Sequence, residues 1–251
     1  MKVKFDPAED ETLDFLSCCS LPILQKKKGY RYSLDSYLLG AFVDEAPGTE
    51  VLEIGSGSGV VSILLSSVKG LLVRGIEIQE DLADMSRRSV ENAGLSDKVK
   101  VTCSDIRNYK GPAFDAVVTN PPYRPLKAGR LNPEKSKAIA RHEICLNLDG
   151  LLNKTYELLH PLGRLYIVYP AWRIPDLLST MRSRKIEPKR MICVHTSLRR
   201  EAEICLICGV RDGGREFSIE SPLVIYNEDR TYNQDMENVF KSLALPKKPL
   251  T

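Results

Sequence analysis

Thr49-Glu-Val-Leu-Glu-Ile54, followed at once by Gly55-Ser-Gly-Ser-Gly59, is the stretch on which the fold turns. The first six residues are a short, largely apolar run of the length of a buried strand. Alternating glycines then open backbone conformations closed to other residues and let a ligand approach the main chain. Val61, Leu64, Leu65 and Val68 follow at i, i+3, i+4 and i+7, the spacing of one helix face. Strand, tight turn and helix in succession leave a helix N-terminus exposed at the carboxyl end of a strand, a natural anion and ligand site.

Working outward, the unit recurs. Leu71-Leu-Val-Arg-Gly-Ile-Glu77 predicts a second strand ending in an acid, and a polar helix from about Gln79 to Asn92 leads to a third, Lys98-Val-Lys-Val-Thr-Cys103, with Asp105 just beyond. Ala113-Phe-Asp-Ala-Val-Val-Thr119 is the fourth. Strands alternating with helices at short intervals imply right-handed βαβ crossovers and a parallel sheet. Leu148, Leu151, Leu152 and Leu159 mark a helix ending at Pro161, Gly163-Arg-Leu-Tyr-Ile-Val-Tyr169 a fifth strand, and Ile174, Leu177, Leu178 and Met181 a further helix. The link between Arg190-Met-Ile-Cys-Val-His195 and Ala202 to Val210 is too short for a parallel crossover, so these two strands are expected to form an antiparallel hairpin. Upstream, Ser33 or Asp35 is placed to cap a helix carrying Leu38, Leu39, Phe42 and Val43, and residues 1–29 read as an extension with room for a hairpin. Pro222-Leu-Val-Ile-Tyr226 is a candidate small strand before a proline-rich end. The expectation is one domain over 1–251, with an extension at 1–29, a core at 30–212 and a C-terminal extension at 213–251.

At 251 residues, with 43% hydrophobic and 27% charged residues, the composition is that of an ordinary soluble globular chain. No run approaches the ~20 apolar residues of a membrane span, and the first ten residues lack a signal-peptide core. Seven cysteines without an export signal point to a reducing cytoplasm. Cys205-Leu-Ile-Cys208 has metal-like spacing but lies in a strand pattern, where its thiols face opposite sides, so core cysteines are favoured over zinc. Net charge is only +3, yet Arg124 to Glu143 holds six Lys/Arg against two acids, and Arg182 to Arg200 seven against one. Two basic stretches on a near-neutral body suit a limited footprint on a phosphate backbone, or simply a solvated surface.

Asn120-Pro121-Pro122-Tyr123 closes the fourth strand. Neither proline has an N–H to donate, and a residue before proline is held extended, so Asn120 belongs at the strand's carboxyl end, where open α/β sheets bind ligands. An amide, free carbonyls and an aromatic ring suit a planar substrate bearing an amino group, although Asn-Pro-Pro is also an ordinary loop sequence. The glycine turn with Glu77, which would take two ribose hydroxyls, fits two cofactor classes. The dinucleotide fingerprint wants G-x-G-x-x-G, whereas here Val60 stands where its third glycine belongs and Glu53 precedes the turn.

That pattern resembles motif I of the class I S-adenosylmethionine-dependent methyltransferases, and with the Asn-Pro-Pro-Tyr turn the resemblance becomes specific. Over about residues 28 to 226 the chain is similar to the bacterial tRNA adenine-N6 methyltransferases that act beside the anticodon of a valine tRNA. The match rests on Gly29-Tyr-Arg-Tyr-Ser-Leu-Asp35, Leu52 to Gly59, Gly75-Ile-Glu-Ile-Gln79, Asn120 to Arg124, and Ala140-Arg-His-Glu143. Family members often carry Asp at the position of Glu53. The resemblance implies a seven-stranded, mostly parallel Rossmann-like sheet with an antiparallel last strand, and S-adenosyl-L-methionine as cofactor. It implies that Glu53, Gly55 and Gly57 border the methionine and sulfonium part and Glu77 the ribose, with Gly59 and Asn120 also at the cofactor. Asp105 would reach the adenine amine, with a loop cap as its plain alternative, and Tyr32 to Asp35 would close over the methionine end. Asn120, Pro121, Pro122 and Tyr123 would hold the target base. Arg124, Lys127, Arg130, Arg141 and His142, on a long basic loop, and Lys185, Lys189, Arg190 and Arg199 are candidates for tRNA contacts. His195, in the sixth strand, is expected to be buried and bonded rather than catalytic. No metal and no membrane are expected. An rRNA adenine, a release-factor glutamine, or a non-catalytic RNA-binding relative remain alternatives. The short segment before the glycine turn disfavours the second, and the intact turn and acid the third.

Overall fold

Strands that are buried almost continuously, as at Val51–Ile54 and Ala116–Thr119, need helices on both faces of one sheet. The computed structural model, which describes residues 4–29, 31–121 and 147–245, has that arrangement. In chain order, strands β1 (Glu11–Phe15) and β2 (Pro22–Lys26) precede helix α1 (Leu34–Phe42). Then come β3 (Glu50–Ile54), α2 (Val60–Lys69), β4 (Leu72–Glu77), α3 (Glu80–Asn92), β5 (Val99–Cys103) and β6 (Phe114–Thr119). After residue 146 follow α4 (Leu148–Leu158), β7 (Leu159–Pro170), α5 (Ile174–Ser183), β8 (Ile186–His195) and β9 (Ala202–Arg211). Two-residue strands β10 (Ser218–Ile219) and β11 (Leu223–Val224) and helix α6 (Gln234–Ser242) complete the described chain.

The main sheet has the order β10-β8-β9-β7-β6-β3-β4-β5, with β11 also pairing β8. β9 alone runs antiparallel to its neighbours, β7 and β8, as the short 196–201 link demands. Every other pair is parallel, so β3, β4, β5, β6, β7 and β8 all point their carboxyl ends to one edge. Side chains alternate between two cores. Val51, Val118, Val168, Leu206 and Cys208 pack on the α1–α2 face, whereas Leu52, Val117, Ile167, Cys205 and Ile207 pack on the α4–α5 face. Each fully buried aliphatic side chain there contributes roughly 1.5–3 kcal/mol.

The structure departs from the sequence expectation in two places. α4 stops at Leu158 rather than Pro161, and β7 starts directly at Leu159. His160 precedes a proline and is excluded from the helical region, while Pro161 has no N–H for a helix bond. The strand then absorbs a register shift opposite Phe114 and Ala116. Gly163 sits there because a Cβ would lie 3.0 Å from the Asp115 carbonyl and 2.9 Å from that of His160. The second difference is α6, capped by the Asn233 side chain, which accepts from the Met236 N–H at 2.9 Å. It docks on α1 through Phe240, whose ring meets Tyr37 edge-on at 5.4 Å.

β1 and β2 form the expected hairpin, and it is fixed to α3. Leu24 N–H donates to the Ser89 hydroxyl at 3.0 Å, and Arg88 grips Glu11 through two bonds of 2.6 and 2.8 Å. No helix among the described residues is long and apolar enough to cross a membrane.

Candidate active site

The three turn glycines all have positive φ, +76° at Gly55, +54° at Gly57 and +89° at Gly59. The N–H groups of Gly55 and Ser56 both donate to the Ile76 carbonyl, at 2.8 and 3.2 Å, which pins the turn to β4. Beyond conformation, Gly55 and Gly59 have different tasks. A Cβ at Gly55 would meet nothing within 4 Å among the described residues, so this face is open to a ligand. A Cβ at Gly59 would lie 2.4 Å from Ser86 Oγ, so Gly59 lets α2 pack on α3. The Ser56 and Ser58 hydroxyls of the turn are buried with no hydrogen-bond partner among the described residues.

Glu77 ends β4 as expected, buried, with its carboxylate accepting from Gly57 N–H and Gln79 N–H, each at 2.9 Å. Two backbone donors thereby orient it beside the turn. Its own carbonyl accepts from Ser104 N–H at 2.9 Å, which brings Asp105 to the same edge. Asp105 caps a short 3-10 turn, Ile106–Asn108, and is clamped by Arg107 through the backbone N–H at 2.9 Å and the guanidinium. That guanidinium holds its carboxyl below the usual range. Glu53 lies deeper, 4% exposed, and accepts from the Ser62 hydroxyl on α2. Burial pushes its carboxyl up to about 8; Ser62 opposes the shift and the nearby Glu77 charge adds to it. It therefore keeps its proton at neutral pH, under the first turn of α2.

Asn120 leaves β6 at the same level. Ile54 pairs with Thr119 in parallel register, and the Thr119 hydroxyl donates to the Ile54 carbonyl at 3.0 Å. Gly55 and Asn120 therefore emerge on adjacent strands, whose spacing is ~4.8 Å. Asn120 and Pro121 are both half-buried.

The sequence pattern described as Methyltransferase small domain matches residues 34–172, more than half of the chain. The chain belongs to that family. A protein of Porphyromonas gingivalis named tRNA1(Val) (adenine(37)-N6)-methyltransferase is 30% identical over 194 residues, covering 73% of this chain and 75% of its own length. Among solved structures, a predicted O-methyltransferase of Agrobacterium tumefaciens aligns with a TM-score of 0.66 at 15% identity, over 84% of this chain and 97% of its own. A methyltransferase of Pyrococcus furiosus aligns with a TM-score of 0.58 at 17% identity, over 76% and 89%. The structural likenesses carry the class I methyltransferase fold.

The other expected residues of this methyltransferase fall in three groups. Tyr32 and Asp35 flank the start of α1, whose far end lies at the amino edge, where Glu45 meets Arg164 at 2.9 Å. The first turn of α1 thus faces the carboxyl edge; Tyr32 is half-buried, and its ring lies 6.0 Å from that of Tyr37. Pro122, Tyr123, Arg124, Lys127, Arg130, Arg141 and His142 lie outside the described residues. The second basic stretch is divided. Lys185 and Lys189 stand at the amino end of β8, opposite the site, with Lys189 donating to the Gly214 carbonyl at 2.7 Å. Arg190 is drawn inward over the Phe42 ring at 4.3 Å, donates to the Phe42 carbonyl at 2.8 Å and pairs with Glu220 at 3.5 Å. Arg199 alone of these four lies in the β8–β9 turn at the carboxyl edge. His195 is bonded as expected, its Nδ1 to the Arg200 carbonyl at 2.8 Å, but at the end of β8 it is half-buried rather than buried. Cys205 and Cys208 are buried in opposite cores. Among the described residues no three His, Cys, Asp or Glu side chains are grouped to hold a metal.

Proposed function

We propose that this methyltransferase transfers the methyl group of S-adenosyl-L-methionine to the exocyclic N6 of an adenine in tRNA, the anticodon-loop adenine 37 of a valine tRNA. The parallel register that sets Gly55 beside Asn120 carries the proposal, because it joins a cofactor turn to an amine-accepting turn. The relative's name supplies the nucleic acid and the position.

The residues present fit the cofactor. The open face at Gly55 admits its close approach, the buried Ser56 and Ser58 hydroxyls lack partners among the described residues, and Glu77 is already oriented for two ribose hydroxyls. Gly57 shapes that turn, and Asp105, next to Ser104 whose N–H donates to the Glu77 carbonyl, accepts from the amine of the cofactor's own adenine. When bound, the cofactor supplies an electrophilic methyl on a sulfonium. Everything else falls to the chain. The adenine amine is a poor nucleophile, since its lone pair is delocalised into the ring. Asn120 Oδ1 and the Pro121 carbonyl accept its two N–H bonds, direct the lone pair to the methyl and stabilise the charge growing on nitrogen. Tyr123 stacks on the base once it has left its neighbours. No general base is needed before transfer, because the methylated ammonium loses its proton afterwards. Arg124, Lys127, Arg130, Arg141, His142 and Arg199 hold the tRNA, in a cytoplasmic setting, with residues 30–212 as the catalytic core of a single domain.

The test is a substrate panel, with labelled S-adenosylmethionine offered to unmodified tRNA, ribosomal RNA and release-factor protein. Label in tRNA is expected. Label in either of the others alone would overturn the substrate. Cofactor binding without transfer would favour a non-catalytic relative.

A further inference from the structure

β7 borders β6 on the side away from β3, so the chain leaving β7 rises beside Asn120 as the glycine turn does on the other flank. Thr119 pairs with Ile167, and β7 continues three residues further to Pro170. At ~3.3 Å per residue the Ala171–Arg173 turn stands roughly 10 Å beyond the level of Asn120. Trp172, the one tryptophan of the chain, is 67% exposed there. Its neighbour Arg173 lies 5.7 Å from its ring and 5.3 Å from that of Tyr169, and is braced by Asp176 at 3.9 Å. The β8–β9 turn adjoins it, since Pro170 pairs with Ile204 and His195 with Ala202. That turn offers Arg200 and Arg199; the latter's contact with Glu228, 3.4 Å long, is almost fully exposed on both sides. Such a pair contributes little and is readily exchanged for a phosphate.

An indole left largely in water, flanked by arginines at the edge that holds the reacting groups, has the composition of a base-stacking platform. We propose that Trp172 stacks a tRNA base flanking the methylated adenine while Arg199 and Arg200 take the adjoining phosphates. This rests on tRNA being the substrate. Carried on a turn roughly 10 Å beyond Asn120, Trp172 governs tRNA affinity and positioning and leaves the chemistry to the turn that begins at Asn120. The exposed Arg199 and Arg200 near the ring favour a phosphate-bearing partner over an uncharged surface.

The sole tryptophan makes the test direct. Titrating the full chain with a valine tRNA transcript should quench its emission saturably. Trp172→Ala should raise the KM for tRNA roughly ten-fold or more, as loss of one aromatic stack does. Its kcat at saturating tRNA and its affinity for S-adenosylmethionine should stay at wild-type values, the latter confirming the fold. Trp172→Phe should recover most of the KM, and charge reversal of Arg199 and Arg200 should lower the salt dependence of tRNA binding by about one to two ion equivalents. Transfer to tRNA with no quench and an unchanged KM in Trp172→Ala would overturn this inference and leave the proposed function standing. Absence of both transfer and quench would overturn the two together. Quenching by release-factor protein and not by tRNA would also refute it.

Discussion

Gly59→Ala separates the packing task of the glycine turn from its ligand task. Position 59 has φ of +89°, which costs a residue with a Cβ about 1–2 kcal/mol. The new methyl would lie 2.4 Å from Ser86 Oγ, 3.3 Å from its Cβ and 3.5 Å from its Cα. Ser86 is fully buried on α3, so relief needs a rotated hydroxyl or a shifted helix, an overpacking cost of about 1–3 kcal/mol. The sum, about 2–5 kcal/mol, is a large part of an ordinary domain's stability. Ser86→Ala removes the offending oxygen, and because that hydroxyl has no hydrogen-bond partner among the described residues the single change should be neutral or stabilising. The double variant should retain the backbone strain and the milder 3.3 Å contact with the Cβ of residue 86, giving a coupling of about 1–3 kcal/mol. Urea unfolding of the four proteins, with unchanged m-values, reads the cycle. A cost below about 1 kcal/mol for Gly59→Ala, or no coupling to Ser86, would refute the packing role.

Three further outcomes follow from other residues. Glu53, raised from 4.5 to about 8, keeps its proton in the folded state and loses it in the unfolded one, so its contribution is complete below pH 4.5 and vanishes as pH rises through 8. That is worth at most about 5 kcal/mol, and Glu53→Gln should flatten the fall of Tm between those pH values; parallel curves would contradict the burial argument. Asn120→Ala removes one acceptor for the amine and should lower kcat about 10²–10³-fold with cofactor affinity nearly unchanged, as single-turnover and binding measurements would show. Glu11→Gln breaks the two-bond grip of Arg88 on a carboxylate only 2% exposed and should cost about 2–3 kcal/mol in urea, the partly exposed Arg88 tempering the loss. An unchanged midpoint would mean the hairpin is held by its apolar contacts alone.

The cofactor half of the site was legible because each of its parts has a local signature. Glycines alternate directly after an apolar run, an acid ends the next strand, and two prolines stop the fourth. The reversal of β9 was legible from the length of the 196–201 link. What escaped depends on distant partners. Gly59 and Gly55 read alike in sequence, and only Ser86, twenty-seven positions on, separates a packing glycine from an open one. α6 buries only Met236 and Val239, too few for a helical stripe among its polar residues. The basic stretch from Arg182 to Arg200 reads as one patch, but β8 carries it across the sheet, at ~3.3 Å per residue, so Lys185 and Arg199 end at opposite edges. Trp172 also follows a strand end, but a lone tryptophan after an apolar run has no signature that separates an exposed ring from a core one.

The identity of the accepting atom tests the account most directly. Valine tRNA methylated with labelled S-adenosylmethionine would be digested to nucleosides and the labelled species separated by chromatography and mass. N6-methyladenosine as the product, absent when Asn120→Ala is used, is the predicted result. Label on a ring nitrogen of adenine, on another base or on ribose would contradict the role given to Asn120 and Pro121.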